Sequence, residues 1–170
     1  MVAFNPEAVR ERIREAIVVS EFYAAPARPG ADASGHREPV PMVELIIDAE
    51  QRLGVPFPPW LREIYESCNG FATHTGDPVL YRLQGDEGVT ELNLFLREEP
   101  WHPSWISRAI VFGHVDGSLS TTTHTVALDG VLVEWCYGDG EEVRRISADL
   151  FAVWQRMQAR WDAALAEEAG

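Results

Sequence analysis

The spacing of apolar residues divides the chain into a helical part and a strand-like part, which meet near Gly70. Before this point apolar residues recur every three or four positions, as expected for helices with one buried face. The pattern predicts helices over residues 5–23, 41–53 and 59–69. After this point apolar and polar positions alternate, which is typical of strands with one buried face. The alternation predicts strands over residues 79–83, 91–96, 109–112, 121–128 and 131–137, with a further short strand over 142–146.

The segment that follows the first predicted helix has a different composition. The helix has an apolar stripe made of Val9, Ile13, Ala16 and Ile17, and its other faces carry Arg10, Glu11, Arg12, Arg14 and Glu15. Residues 24–40 are rich in Ala, Pro, Gly, Asp and Ser, so they cannot bury enough apolar surface to be ordered by packing. We therefore divide the chain into an N-terminal helix over residues 1–23, a flexible linker or loop over 24–40 and an α+β domain over 41–170.

A last amphipathic helix is predicted from Ser147 onwards, because serine is a favourable N-cap. Its apolar stripe consists of Leu150, Val153, Trp154, Met157, Trp161 and Leu165. Such a stripe needs an apolar surface to cover, and a sheet provides one. The predicted fold class is α+β, with N-terminal helices, a central, mainly antiparallel sheet of about five to six strands, and a C-terminal helix packed on one face.

The composition indicates a single globular domain with a strong negative charge. Of the 170 residues, 46% are apolar, which is enough for one hydrophobic core. The 27 acidic residues outnumber the 14 basic residues, all of them arginine, so the formal net charge is -13. This charge disfavours direct binding to nucleic-acid phosphates and favours a basic protein partner.

The chain shows neither a signal peptide nor a stretch of the roughly 20 apolar residues that a membrane span needs. We therefore expect a cytoplasmic protein without membrane association, present as a monomer or weak homodimer. Cys68 and Cys136 lie far apart and form no metal-binding or redox motif, so both are expected to be reduced.

Few residues suggest catalysis. The best candidate for a metal site combines His114, Asp116 and His124, which would meet if the two strands pair, and it keeps a metal-dependent hydrolase as an alternative. Among possible nucleophiles, Cys68 lies on the apolar stripe of its predicted helix, and Ser118 lacks the sharp strand-to-helix turn of a nucleophilic serine. No phosphate-binding glycine loop follows a predicted strand. We therefore predict no enzyme activity, no bound metal and no cofactor.

Acidic residues concentrate in predicted loops and at strand ends, where rigid folds usually carry their binding surfaces. These candidate partner-binding residues are Asp77, Asp86, Glu87, Glu98, Glu99, Asp139, Glu141 and Glu142. Trp101 and Trp105 follow shortly after two of them and would anchor a partner, since tryptophan is enriched at binding hot spots. The alternative is that both tryptophans cap the core.

A recognisable motif lies between residues 53 and 70. Its members are Leu53, Gly54, Pro56, Trp60, Leu61, Tyr65, Asn69 and Gly70. The motif resembles the signature of the SUKH superfamily of Smi/Knr-like proteins, and residues 110–113, 126–135 and 147–157 are similar to later elements of that family. The resemblance covers about residues 41–160 and implies a SUKH-like domain over residues 41–170. We interpret the motif residues as fold-specifying, because none of them is suited to catalysis.

The resemblance implies a non-enzymatic, protein-binding function. SUKH proteins commonly act as immunity proteins that neutralise a polymorphic toxin, often a nuclease, while eukaryotic-type members act as regulatory interaction scaffolds. Given the net charge of -13, we expect an immunity protein whose acidic, tryptophan-containing surface occludes the basic active-site cleft of its toxin. The scaffold and the metal-dependent hydrolase remain the alternatives.

Overall fold

The computed structural model describes most of the predicted α+β domain. The described residues are 39–72, 78–118, 121–136 and 140–146, together with the single positions 150, 152, 153, 159, 163, 166 and 167. The predicted helix over residues 1–23, nearly all of the linker over 24–40 and most of the predicted C-terminal helix lie outside the described residues. Leu150 and Val153 from that last helix are described, and both are buried.

Helices come first in the described chain and strands dominate its second half. The helical elements are α1 (Met42–Leu53), α2 (Pro59–Ser67), α3 (Val89–Glu98) and a 3₁₀ turn at Ile106–Arg108. The strands are β1 (Phe71–Ala72), β2 (Pro78–Leu80), β3 (Ala109–Ser118), β4 (Thr121–Leu128), β5 (Val131–Cys136) and β6 (Arg144–Arg145). The predicted α+β class is confirmed.

The first two helices form where predicted, and one carboxylate joins them. Gly54 ends α1 in the left-handed conformation, with a φ of 65°, and its N–H donates to the carbonyl of Glu50. Pro59 opens α2 at a position where a helix needs no N–H. The carboxylate of Glu50 accepts the backbone N–H of Phe57 at 2.8 Å and the Nη2 of Arg62 at 2.6 Å. Glu50 therefore fixes the proline-rich connection between the helices.

The strand predicted over residues 91–96 is wrong, because this segment is the middle of helix α3. The alternating leucines of the segment fit a strand, but Val89, Asn93 and Leu96 follow helical spacing and are all buried. A period of two would place Asn93 on the outward face together with Glu91 and Phe95. In the helix its amide instead points into the core.

Asn93 attaches α3 to the sheet. Its Nδ2 donates to the carbonyl of Val89 at 2.7 Å within the helix and to the carbonyl of Val111 on β3 at 2.8 Å. Its Oδ1 accepts the N–H of Val111 at 2.9 Å. One turn later, Arg97 donates to the carbonyls of Leu53 at 2.6 Å and Ala109 at 3.3 Å. These contacts hold α3 between the end of α1 and the start of β3.

The strands pair in sequence order, each antiparallel to its neighbours. Strands β2 to β5 form the main body of the sheet, and β1 and β6 are two-residue strands at its edges. The β4–β5 hairpin turns at Asp129 and Gly130, which both have positive φ and lie between the strands predicted over 121–128 and 131–137. The longer β3–β4 hairpin contains two register irregularities along its length.

Strand boundaries differ from the predictions at three places. Strand β2 ends at Leu80 instead of residue 83, because the carbonyl of Arg82 accepts the N–H of Val89 at the start of α3. Strand β3 continues past residue 112, and the segment predicted over 142–146 contains only the two residues of β6.

The sheet carries a hydrophobic core on each face. The core towards α1 and α2 includes Ile46, Leu53, Leu61, Ile64, Tyr65, Ile110, Phe112 and Leu150. The core on the other face consists of Leu96, Trp105, Ile106, Ala109, Val111, Val126, Val133 and Trp135. Successive residues of β3 alternate between the two cores, so both faces of this strand are buried.

The motif residues of α2 connect the helix to the sheet. Leu61 and Tyr65 are fully buried in the core. The hydroxyl of Tyr65 donates to the carbonyl of Tyr81 at 2.7 Å, and the indole Nε1 of Trp60 donates to the carbonyl of Gly130 at 2.9 Å. These bonds support the fold-specifying interpretation of the motif.

Asn69 and Gly70 direct the chain from α2 into the sheet. The side chain of Asn69 is buried and accepts the N–H of Leu83 at 3.0 Å. Gly70 has a φ of 87°, and a Cβ at this position would lie 2.7 Å from the carbonyl oxygen of Leu80. Only glycine therefore fits this conformation at this distance from the neighbouring backbone.

Replacing Asn93 with leucine is expected to lower the free energy of unfolding by about 3 kcal/mol, because both backbone groups of Val111 lose a buried partner. Urea denaturation measures this change. The matched control is Glu98→Gln on the exposed side of the same helix, which should stay within about 0.5 kcal/mol of the wild type. Equal stability of Asn93→Leu and the control would contradict this role.

Candidate protein-binding surface

The outward face of α3 combines an aromatic side chain with acidic residues. Glu91, Phe95 and Glu98 lie four and three residues apart, so they form one stripe along the helix. This stripe is opposite the buried Asn93. Phe95 is 52% exposed, and Glu98 is exposed beside it. An exposed phenylalanine between carboxylates is suited to docking against a surface that is both apolar and basic.

A turn that follows the end of α3 carries a second exposed aromatic residue. Trp101 is 43% exposed and lies between Glu99 and His102 in the chain. The N–H of His102 donates to the carbonyl of Glu99 at 3.1 Å, and its Nδ1 lies 2.6 Å from the same oxygen. The turn that presents Trp101 is therefore fixed by local hydrogen bonds.

The turn around Glu141 is fastened to the segment that follows Trp101. The carboxylate of Glu141 accepts the N–H of Ser104 at 2.8 Å and its hydroxyl at 2.9 Å. The indole of Trp105 donates to the carbonyl of Glu141, and the indole of Trp135 donates to the carbonyl of Gly140, each at 3.1 Å. These bonds bring an acidic turn from the far end of the sequence to the loop after α3.

Trp105 lies in the core and is not part of the candidate binding surface. It is only 6% exposed, and its ring packs edge-on against Trp135 with 5.4 Å between the ring centroids. The alternative assignment, that the tryptophans cap the core, therefore describes Trp105, while Trp101 is exposed. We leave Trp105 out of the proposed surface.

The remaining predicted acids lie around α3 or outside the described residues. Asp86 and Glu87 are exposed in the turn before α3, and Glu142 is exposed next to Glu141. Asp77 and Asp139 lie outside the described residues. Acidic groups thus occur at both ends of α3, whose ten residues span about 15 Å. We call Glu91, Phe95, Glu98, Glu99 and Trp101 the α3 surface.

Phe95 and Glu91 are the residues that sequence reasoning missed. Treating this segment as a strand gave Phe95 no distinct role. The available signal in the sequence was the helical spacing of the apolar residues at 89, 92 and 96, with an acidic residue in the first turn and Arg97 in the last. A helical wheel of residues 89–98 places Phe95 opposite the buried positions.

Two described arginines, Arg52 and Arg97, lie at or on α3. Arg52 forms an ion pair with Glu91, with 2.5 Å between Nη2 and Oε1. The guanidinium of Arg97 instead bonds the two backbone carbonyls described above, and burial lowers its pKa. The helix therefore presents a net negative surface to a partner.

Two histidines and a tyrosine form a buried polar cluster on the sheet. His114 on β3 lies opposite His124 on β4, and the Tyr81 hydroxyl lies 3.4 Å from Nδ1 of the first and 3.2 Å from Nδ1 of the second. His124 also stacks on Trp135, at 5.7 Å between centroids. Burial, and next the proximity of His114, lower the pKa of His124 to about 4.

This cluster does not support the metal-dependent hydrolase. The Nδ1 atoms of His114 and His124 both contact Tyr81, and the side chain of Asp116 lies outside the described residues. In the part of the chain that the structure describes, no three His, Cys, Asp or Glu side chains are arranged to hold a metal ion.

Cys68, the candidate nucleophile whose side chain the structure describes, is also poorly suited to catalysis. The Sγ of Cys68 lies 3.6 Å from the carbonyl oxygen of Ile64. Burial raises the pKa of this thiol to about 12, so it remains protonated near neutral pH. The side chain of Ser118 lies outside the described residues.

Comparison with known proteins identifies the family. The model of the SMI1/KNR4 family (SUKH-1) matches residues 43–154, which include α1 to α3 and the whole sheet. The chain belongs to the SMI1/KNR4 family. The predicted SUKH membership is therefore confirmed. No curated protein and no solved structure matches the chain significantly.

The described part of this SMI1/KNR4 protein contains no helix that is long and apolar enough to cross a bilayer.

The His124 pKa predicts that this SMI1/KNR4 protein loses stability on acidification. The unfolded histidine binds its proton near pH 6.5, whereas the native one does so only near pH 4. The unfolded state therefore holds more protons between these values, and the free energy of unfolding should fall by up to about 3 kcal/mol as the pH drops through this window. Urea denaturation at several pH values measures this loss.

His124→Gln should reduce the pH dependence, because it removes the titrating group. His102→Gln changes an exposed histidine and is the matched control, which should keep the wild-type dependence. An unchanged pH dependence in His124→Gln would assign the effect to another group.

Proposed function

We propose that this protein is a non-enzymatic immunity-type module that binds and neutralises a basic toxin domain, such as a nuclease. The proposal rests on membership in the SMI1/KNR4 family and on the α3 surface. The observation that carries it is the exposed Phe95 between Glu91 and Glu98, with Trp101 at the end of the same helix. Its proposed site of action is the cytoplasm, as a monomer or weak homodimer without a cofactor.

The proposed mechanism is occlusion of the toxin's substrate-binding cleft. A net charge of -13 attracts a basic protein and increases the rate of encounter. The carboxylates at Glu98 and Glu99 take the places of substrate phosphates, and the two aromatic rings fill apolar pockets that hold the complex together. A nucleic acid cannot then enter the cleft.

The chemistry of the described residues favours binding over catalysis. The thiol of Cys68 is partly buried and protonated, and the Nδ1 atoms of His114 and His124 both lie within hydrogen-bond distance of the Tyr81 hydroxyl. The exposed groups around α3 are carboxylates and aromatic rings, which suit recognition.

A regulatory scaffold of the Smi/Knr type is the second candidate, because the same surface can bind a partner that is not a toxin. The two functions differ in their effect on the partner. An immunity protein abolishes the activity of the bound toxin, whereas a scaffold binds without inhibiting. Measuring complex formation and enzyme activity on the same sample distinguishes them.

The test reads the genes on either side of this one for a toxin domain and then mixes that purified domain with this protein. We expect a stable complex in which nuclease activity is lost. Phe95→Ala and Trp101→Ala should each weaken binding by about 30-fold, because each removes a hot-spot side chain. Calorimetry measures the affinity.

Two further variants serve as controls for this binding experiment. The first removes negative charges from the α3 surface, and the second changes an apolar residue outside it. Glu98→Gln combined with Glu99→Gln should mainly slow association, and this difference should shrink at high salt. Val131→Ala changes a comparably exposed apolar residue on β5 and should leave affinity unchanged. Failure of the wild-type protein to bind or inhibit the toxin would overturn the proposed function.

A further inference from the structure

A cleft of about 610 Å³ opens beside the proline-rich connection between α1 and α2. Residues 54–59 form one side of it, which we call the proline wall. The opposite wall comes from the 3₁₀ turn and the β4–β5 turn, with Ser107, Arg108, Asp129 and Gly130. Clefts of this size commonly bind ligands when apolar walls carry a few polar groups that fix the orientation of the ligand.

Two side-chain bridges hold the walls of this cleft at a fixed separation. The indole Nε1 of Trp60 donates to the carbonyl of Gly130 at 2.9 Å, which joins the start of α2 to the β4–β5 turn. The guanidinium of Arg97 donates to the carbonyls of Leu53 at 2.6 Å and Ala109 at 3.3 Å, and these two residues adjoin the two walls. The cleft is therefore formed before a ligand enters, which lowers the entropic cost of binding.

The proline wall is a stiff apolar surface. Each proline restricts its own φ, and Pro58 has a φ of −62° and a ψ of 151°, close to those of polyproline II. Pro56 and Pro59 are exposed and lie three residues apart, which is the spacing of proline-rich segments that pack against aromatic side chains. The proline wall is therefore suited to an aromatic ring.

The opposite wall carries an exposed ion pair. The Nη1 of Arg108 lies 2.7 Å from the Oδ2 of Asp129, and the two side chains are 61% and 54% exposed. Within the residues that the structure describes, neither side chain makes a further hydrogen bond. The other guanidinium N–H groups and the Oδ1 of Asp129 are therefore accessible, so a donor and an acceptor lie next to each other at the cleft.

This donor and acceptor match the main chain of an extended peptide. An extended residue presents its N–H and its C=O on the same edge, as in the pairing of antiparallel strands. The C=O of such a residue accepts a hydrogen bond from Arg108, while its N–H donates to Asp129. A lone anion would be repelled by Asp129 and a lone cation by Arg108, so the pair favours a neutral peptide group.

We propose that the cleft binds an extended peptide segment of a partner protein through one aromatic residue. The aromatic ring packs on Pro56 and Pro59 of the proline wall, and the main chain of the same residue bonds Arg108 and Asp129. None of the residues of the α3 surface is among the described residues that line the cleft. This site is therefore separate from the α3 surface and does not depend on the proposed toxin.

Titration of the full-length protein with the uncharged peptide acetyl-Gly-Trp-Gly-amide, followed by nuclear magnetic resonance, tests the proposal. The amide signals of Gly54, Val55, Arg108 and Gly130 should shift, with a Kd of about 1 mM or tighter. The same peptide with alanine in place of tryptophan should bind at least about 30-fold more weakly, because it lacks the ring. Indole alone should bind about ten-fold more weakly than the tryptophan peptide, since it has no peptide group for the ion pair.

Substitutions in the opposite wall test the position of the peptide. Ser107→Trp changes an exposed residue of this wall into one that fills the cleft, and it should abolish peptide binding. Arg108→Gln should weaken binding about ten-fold, because a hydrogen bond from a charged group is lost. Arg144→Gln is the matched control, since it removes another exposed, ion-paired arginine that does not line the cleft, and it should leave the affinity unchanged.

The amide signals of β4 report whether each variant is folded. If Ser107→Trp disturbs them, Arg108→Gln and the alanine peptide still decide the outcome. Absence of shifts at the cleft amides at several millimolar peptide, similar affinity for the alanine peptide, or binding that survives in folded Ser107→Trp would each overturn the proposal. Indole that binds as tightly as the tryptophan peptide, or equal affinities of Arg108→Gln and Arg144→Gln, would overturn the assignment of a peptide ligand.

Discussion

The attachment of α3 through the Asn93 amide decides which side of this helix faces outwards. One side chain bonds both backbone groups of Val111 and a carbonyl of its own helix. A buried amide is stable only when its donors and acceptor are paired, so the helix cannot rotate without leaving polar groups unsatisfied. This constraint turns Phe95 outwards and gives the candidate binding surface its composition.

A second set of polar contacts connects the interior of the sheet to the acidic turn at Glu141. The indoles of Trp105 and Trp135 pack against each other and donate to consecutive carbonyls of this turn. His124 in turn stacks on Trp135. The position of a surface carboxylate thus depends on buried aromatic rings and on a histidine that stays neutral because it is buried.

Sequence reasoning was reliable where local chemistry alone decides the structure. Gly54, Pro59 and the Asp129–Gly130 turn act through their own backbone preferences, and the elements they delimit were found near their predicted positions. Sequence reasoning was wrong for residues 91–96, because the leucines in this segment fit both the period of two of a strand and the period of about 3.6 of a helix. The choice between them depends on Val111, which is distant in sequence and pairs with Asn93 only in the folded chain. Similarly, two neighbouring tryptophans looked alike in the sequence, although only Trp101 is exposed.

The amino-acid sequence by itself determined the strong negative charge, the α+β class and the SMI1/KNR4 motif, because these follow from composition, from local periodicity and from residues with distinctive backbone preferences. The tertiary structure alone decided that residues 89–98 form a helix, that Phe95 faces outwards, and that His114 and His124 meet at Tyr81. The physical reason is that these features depend on pairing buried polar groups between segments far apart in the chain, which no local pattern specifies.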